Sequence, residues 1–436
     1  MEFSLLEMIN RLDPMALVIL TVAGTLLLFL PLHENPYMIM LLLSLSAAFV
    51  GSTIPAVDNI SALLRWLSIL LLFGFGVLRK RMSVSLGLLF FWGYILFGLI
   101  FLFRAISFNW QFQRSLLLLI VAVAIPLAYS NETYKSLKLS LVAISIVAAI
   151  FALVNFLPLI THLGEAVRFS GYSKKAPEFA MSLGAMLPFT FWGLWEVKHK
   201  GIQVVCASGF FAGLVSLILS GQRTGTIVGL LGLFPLLLAR GRSKNLRWFL
   251  LVGIPPLLLA YTLIQFSSVE RMNFLLGRYS LDSGLSDRGL IWQNSFSEIN
   301  ENPLMGRGIG AAENVQSDSF HNSYLEVWFN TGLWGLVFFL ASQMYFLYRI
   351  FLLGRVSKEP EITAALALAL GYMIGFIFMC FFESAGAGAS NINVLLFLFV
   401  GVMLSSHNLA ESAVPETTKT RLKRLSAGLK GTATEL

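Results

Sequence analysis

Charge is what this chain lacks most. Only 12% of its 436 residues are Asp, Glu, Lys or Arg, about half the share in an ordinary globular domain, so a water-soluble fold is excluded. Cysteine is nearly missing as well: Cys206 and Cys380 both fall inside apolar runs. That excludes a disulfide framework or a cysteine metal site and leaves both as packing residues. There is no P-loop, no G-x-S-x-G elbow and no dinucleotide fingerprint. The glycines of NPLMGRGIG follow no expected strand and read as turns. The alternation of a β-barrel is absent, and the N-terminal stretch carries no basic n-region or cleavage site, so the first apolar helix is expected to stay in the mature protein.

What is present is hydrophobic length. Hydrophobic residues make up 57% of the chain and the mean hydropathy is +0.77. Runs of roughly 17 to 25 apolar residues cross a ~30 Å hydrocarbon core as helices. The expectation is an all-α polytopic membrane protein, with spans near 15–32, 37–54, 61–78, 83–103, 115–129, 138–160, 179–195, 202–220, 224–240, 248–266, 332–353, 362–382 and 391–406. The short break PLHENP makes the count twelve or thirteen. Four segments follow: N-terminal spans over 1–266, a large loop with short helices over 267–331, C-terminal spans over 332–406 and a tail over 407–436, polar and read as disordered.

Lys and Arg collect in alternate connections, at 79–81, 135 and 138, 198 and 200, 240–247, 355 and 358, and in the tail. Short cytoplasmic loops carry such an excess, so these face the cytoplasm. The 104–114, 161–178, 221–223 and 267–331 connections then face outwards. The net charge of +8 is thereby a topology signal that needs no nucleic acid. Helix interiors nearly free of charge also count against an ion-coupled transporter.

Residues 267 to 332 form the one long polar stretch in the interior, with eight acidic residues, four arginines and one histidine. Chemistry on soluble groups is expected there. His321, in SFHNSYLEVWFNTG, precedes an S-x-x-E capping pattern, Ser323 and Glu326. A helix starting there would leave the imidazole beside unpaired backbone N–H groups that attract anions and favour its neutral form, as a general base requires. An ordinary interfacial histidine fits the same pattern. Glu326 is a second candidate base, although capping accounts for it.

Arg223, in the tight connection LSGQRTGT, either snorkels to the headgroups or presents a planar fork to a phosphate. Arg168 and Arg288 are also on the outer side, and with Arg223 they make a candidate diphosphate site. Arg271, Arg278 and Arg307 are external too, but Arg288 opens the amphipathic stretch GLIWQNSFSEI, which Asn302-Pro303 stops. Asp282 and Asp287 lack the close spacing and histidine partners of a metal site, and Asp287 suits a helix cap.

The order of these features resembles the O-antigen ligase and polymerase family. RFSGYSKKAPEFAMSLGAMLP (168–188) is similar to the family's Arg-x-x-Gly stretch before a Pro-containing helix, LSGQRTG to its Ser/Gly-Arg turn and NPLMGRGIG to its Asn-Pro-x-x-Gly-x-Gly stretch. His321 to Gly332 reproduces the His-x10-Gly spacing associated with the ligases. Ala176-Pro177-Glu178 stands where the family often has Asn-Pro-Asn.

The resemblance implies a metal-independent inverting glycosyltransferase without a cofactor in the bacterial inner membrane, working at the periplasmic face. It would move a glycan from undecaprenyl diphosphate to an acceptor hydroxyl. The acceptor is lipid A–core for a ligase of lipopolysaccharide synthesis, or a second lipid-linked unit for a polymerase. His321 is the expected base and Arg168, Arg223 and Arg288 the expected diphosphate ligands. The reading from another class is a non-enzymatic polysaccharide flippase or exporter.

Overall fold

The computed structural model describes residues 36–79, 84–129, 132–159, 169–239, 286–312, 320–357, 359–384 and 391–406. Among them twelve α-helices follow in order: α1 Pro36–Phe49, α2 Pro55–Arg79, α3 Leu86–Ile100, α4 Phe108–Tyr129, α5 Tyr134–Phe156, α6 Ala176–Glu196, α7 Lys200–Leu219, α8 Arg223–Ala239, α9 Ser286–Asn300, α10 Ser323–Val356, α11 Pro360–Phe382 and α12 Ile392–Ser405. A 3-10 turn, Phe101–Arg104, extends α3. The described residues hold no strand beyond an isolated bridge between Ser52 and Ser173. Seven of these helices are long and apolar enough to cross a membrane, so the protein is all-α and polytopic. The spans expected at 15–32 and 248–266 lie outside the described residues.

Helix starts follow local chemistry. Proline, whose missing N–H costs nothing in a first turn, opens α1, α2 and α11, and Ser85, Thr133 and Asn391 cap α3, α5 and α12 through their side chains. Between apolar helices in lipid, association depends on close van der Waals approach, which small residues permit. Gly225 of α8 illustrates it: an added Cβ would lie 2.5 Å from the Ala180 carbonyl oxygen of α6. On its other side α8 packs along α11, so α8 is held between the two.

α12 is the axis of the bundle. Every residue from Ile392 to Leu404 is buried, as expected of a helix apolar on all sides, and α1, α3, α4, α6, α10 and α11 all touch it. Its Phe397 ring meets Phe91 of α3, Phe346 of α10 and Phe376 of α11 at centroid distances of 5.6, 5.3 and 4.8 Å.

The connections gather in two groups. In one, Thr53 N–H bonds to the Tyr172 carbonyl and Lys174 pairs with Asp58; this group also contains the 104–111 and 302–312 segments, joined by Gln111. In the other, Lys138 pairs with Glu361 at 2.7 Å and Ser406 bonds to the Glu132 carbonyl. Site residues belong to the first group.

Candidate active site

α11 ends at Phe382, and Glu383 is its C-cap in extended backbone. The Glu383 side chain is buried, and three residues from the polar loop converge on it. Arg288, on the first turn of α9, donates from Nη2 to Oε1 at 2.8 Å and from Nη1 to the Phe382 carbonyl at 2.8 Å. His321 places Nδ1 at 3.1 Å from Oε2. Ser323 donates its hydroxyl to the Glu383 backbone carbonyl at 2.7 Å. A buried carboxylate requires such partners, because an unpaired one costs several kcal/mol. Glu383 therefore ties α9, α10 and the end of α11 together.

His321 is held from its other side as well. It has φ +48°, left-handed for a residue other than glycine. Such backbone persists where the surroundings fix it, often at functional sites. Trp292 Nε1 donates to the carbonyl of the preceding Phe320 at 3.1 Å. Phe320 in turn sits in a small core with Ile299, Ala311, Ala312, Leu325 and Phe329, so the polar loop has apolar packing of its own around the histidine.

The N-cap expected at Ser323 lies one residue earlier. Asn322 caps α10 instead, its side-chain oxygen accepting from the N–H groups of Tyr324 and Leu325 at 2.9 and 3.1 Å. Asparagine is as good a cap as serine. These two donors, expected to attract an anion, are occupied, and Glu326 is turned into the protein, 7% exposed.

α10 was expected to begin at 332; it begins nine residues earlier and breaks there. Gly332 has φ +65° and ψ −178°, a region open to glycine alone. Helical hydrogen bonds lost at the break are replaced by the NPLMGRGIG stretch. Arg307 and Gly308 N–H groups reach the Asn330 carbonyl at 3.0 and 2.8 Å, and Leu333 N–H reaches the Pro303 carbonyl at 3.0 Å. Ala312 N–H bonds to Asn330 Oδ1 at 3.1 Å. Those glycines are turns, with Gly308 and Gly310 at φ +90° and +87°, and they clamp the short helical segment 323–331. The His-x10-Gly spacing is thus the length of a half-helix, His321 just before it and the break after it.

Of the arginines, Arg288 shares its carboxylate with His321. Arg223 opens α8. Along the antiparallel pair, Gly232 faces Gly371 and Val228 faces Gly375, a register that brings Arg223 level with the last turn of α11, the end that carries Glu383. Arg307 is engaged elsewhere, 3.4 Å from both Glu298 and Glu301 and 4.7 Å over the Phe329 ring. Arg168, Arg271, Arg278 and Asp282 lie outside the described residues, as does the side chain of Asp287. Among the described residues no three His, Cys, Asp or Glu side chains are grouped as metal ligands.

Sequence reading missed Glu383. It follows the span FIFMCFF directly, and an ionisable residue at the edge of a membrane span is a functional candidate by default.

The fold and the site together define a polytopic helical membrane protein with a histidine, a carboxylate and an arginine brought together at one end of its bundle. Residues 208–340 match the family described as O-antigen ligase, a stretch that contains Arg223, Arg288, His321 and Gly332. The exopolysaccharide production protein ExoQ of Rhizobium meliloti (strain 1021) is 27% identical over 191 residues, 38% of this chain and 42% of that one. The match thus spans less than half of that relative's length. Both comparisons bear out the resemblance read from the motifs: over residues 208–340 this polytopic membrane protein is similar to the O-antigen ligase family.

Proposed function

We propose that the protein moves a glycan from undecaprenyl diphosphate to an acceptor hydroxyl at the periplasmic face of the bacterial inner membrane, as an O-antigen ligase acting on lipid A–core. The observation that carries this reading is the carboxylate shared by His321 and Arg288. Glu383 accepts from Arg288 through Oε1 and faces His321 Nδ1 through Oε2, so in neutral His321 the proton sits on Nδ1 towards Glu383 and the lone pair on Nε2. That tautomer takes the acceptor's O–H proton while the acceptor oxygen attacks the anomeric carbon and the bond to the diphosphate oxygen breaks, inverting the centre. Glu383 acts as the positioning residue.

The departing diphosphate needs positive charge in a water-poor place. Two of the five Arg288 N–H donors are used on Glu383 and Phe382, which leaves three for an anion. Arg223 stands at the same end, and Arg168 completes the set read from the sequence. No step is assigned to a metal ion.

A second reading has support from the relative named for exopolysaccharide production: the acceptor is another lipid-linked unit and the product a longer chain. The His-x10-Gly spacing does not separate the two, since it sets the length of a half-helix. Incubating purified protein with an undecaprenyl-diphosphate glycan and either lipid A–core or a second lipid-linked unit does. Glycan on lipid A–core is the expected product; elongation alone makes it a polymerase, and no transfer with either acceptor overturns both readings.

Arg223→Lys tests the arginine set. Lysine keeps the charge and loses the planar fork, so the expected result is an inserted protein with turnover reduced about tenfold, the cost of one ~1.4 kcal/mol contact at the leaving group. Unchanged turnover would assign Arg223 to headgroup anchoring.

A further inference from the structure

The lipid-facing surface of the bundle does not stop where α10 breaks. Below the break that surface is a helical stripe, Trp334, Val337, Met344, Tyr348 and Phe351, each about half exposed. Above it the exposed apolar side chains continue on other elements: Leu304 and Met305 of the clamp at 52% and 51%, and Phe296 of α9 at 43%. They are joined to the stripe through the break. Leu304 lies against Gly332, Pro303 accepts from Leu333 N–H and from Trp328 Nε1 at 2.7 Å, and Phe296 meets Trp328 edge-on at 6.4 Å.

The charged groups of this edge are satisfied within it, Arg307 holding Glu298 and Glu301. Tryptophans at 328 and 334 sit where the stripe meets the clamp, and indoles concentrate at the boundary between hydrocarbon and headgroups.

We propose that Leu304, Met305 and Phe296 form a lip that dips into the outer-side leaflet, with the phospholipid boundary itself as partner. Soluble proteins rarely expose contiguous apolar patches without a partner, and this one runs on from a surface that already faces lipid. Its consequence is geometric. α9 and the clamp carry Arg288 and support His321, so the lip seats them at the level of a lipid headgroup, where a substrate whose hydrocarbon part stays in the bilayer meets them. The contact with lipid stands independently of the reaction assigned above.

The test uses the whole protein in nanodiscs of phosphatidylethanolamine and phosphatidylglycerol. Single cysteines replace Leu304 or Met305 and carry a nitroxide; the native Cys206 and Cys380 are fully buried and do not compete. Val337→Cys serves as the lipid standard and Asn294→Cys, on an exposed polar position of α9, as the water standard. Expected is greater access of oxygen than of a nickel chelate at 304 and 305, as at 337. Chelate access equal to that at 294 places the lip in water and overturns the proposal. Shielding from both reagents, which gives the surface to a second copy of this chain, overturns it too.

Discussion

His321→Ala is expected to lower transfer by about 10²- to 10⁴-fold, the usual contribution of a positioned base, with the protein still inserted and binding of the lipid-linked donor little changed. Glu383→Gln should act through the same group. Its amide can still bond Arg288 but no longer holds Nδ1–H with a charge, so kcat is expected to fall by about 10²-fold with KM for the donor nearly constant. The double variant separates positioning from mere support. If Glu383 works through His321, losing both costs scarcely more than losing His321 alone, whereas independent contributions multiply. Full turnover in His321→Ala would remove the imidazole from the reaction and leave the arginines as its chemistry.

Gly332→Ala should be nearly as damaging, by another route. The added Cβ would lie 2.3 Å from the Leu304 carbonyl oxygen and 2.9 Å from Gly306 N. Both are backbone atoms of the clamp and cannot swing aside, and φ +65° is closed to alanine in this region. Several kcal/mol of strain follow, on the scale of backbone outliers and overpacking combined. Separation of the clamp from Asn330 would shift the 323–331 half-helix, and a misplacement of about 1 Å costs on the order of 10² in rate. Thermal unfolding in detergent with the transfer assay checks this: an early melt and activity lost even in the folded fraction are expected, and wild-type values in both would show that the break tolerates a side chain.

The helices were legible because each is a long apolar run, and run length is the strongest signal a membrane chain carries. The spans expected at 179–195, 202–220 and 362–382 stand as Ala176–Glu196, Lys200–Leu219 and Pro360–Phe382. Placement failed where two local rules compete. At 322–326 both Asn322 and Ser323 suit a cap, and tertiary contact decides, since the Ser323 hydroxyl is drawn to the Glu383 carbonyl. At 332 hydropathy marks where the apolar stretch begins, but no pattern within one segment reveals that a helix already runs into it, because the bonds that stabilise the break come from residues 303 to 312. His321 and Arg288 could be singled out by residue type. That both meet one carboxylate from sixty residues or more further along is a product of folding, visible only when α9, α10 and α11 are set side by side.

The buried position of α12 has a consequence for biogenesis. Six other helices rest on it, yet it is the most C-terminal of those described, so the ribosome completes the partners before the post they surround. Spans inserted earlier must wait in lipid with their inward faces covered by acyl chains or by provisional neighbours. Final closure then comes as a late, concerted event, and a chain cut short before residue 392 would leave a ring of helices with nothing at its centre.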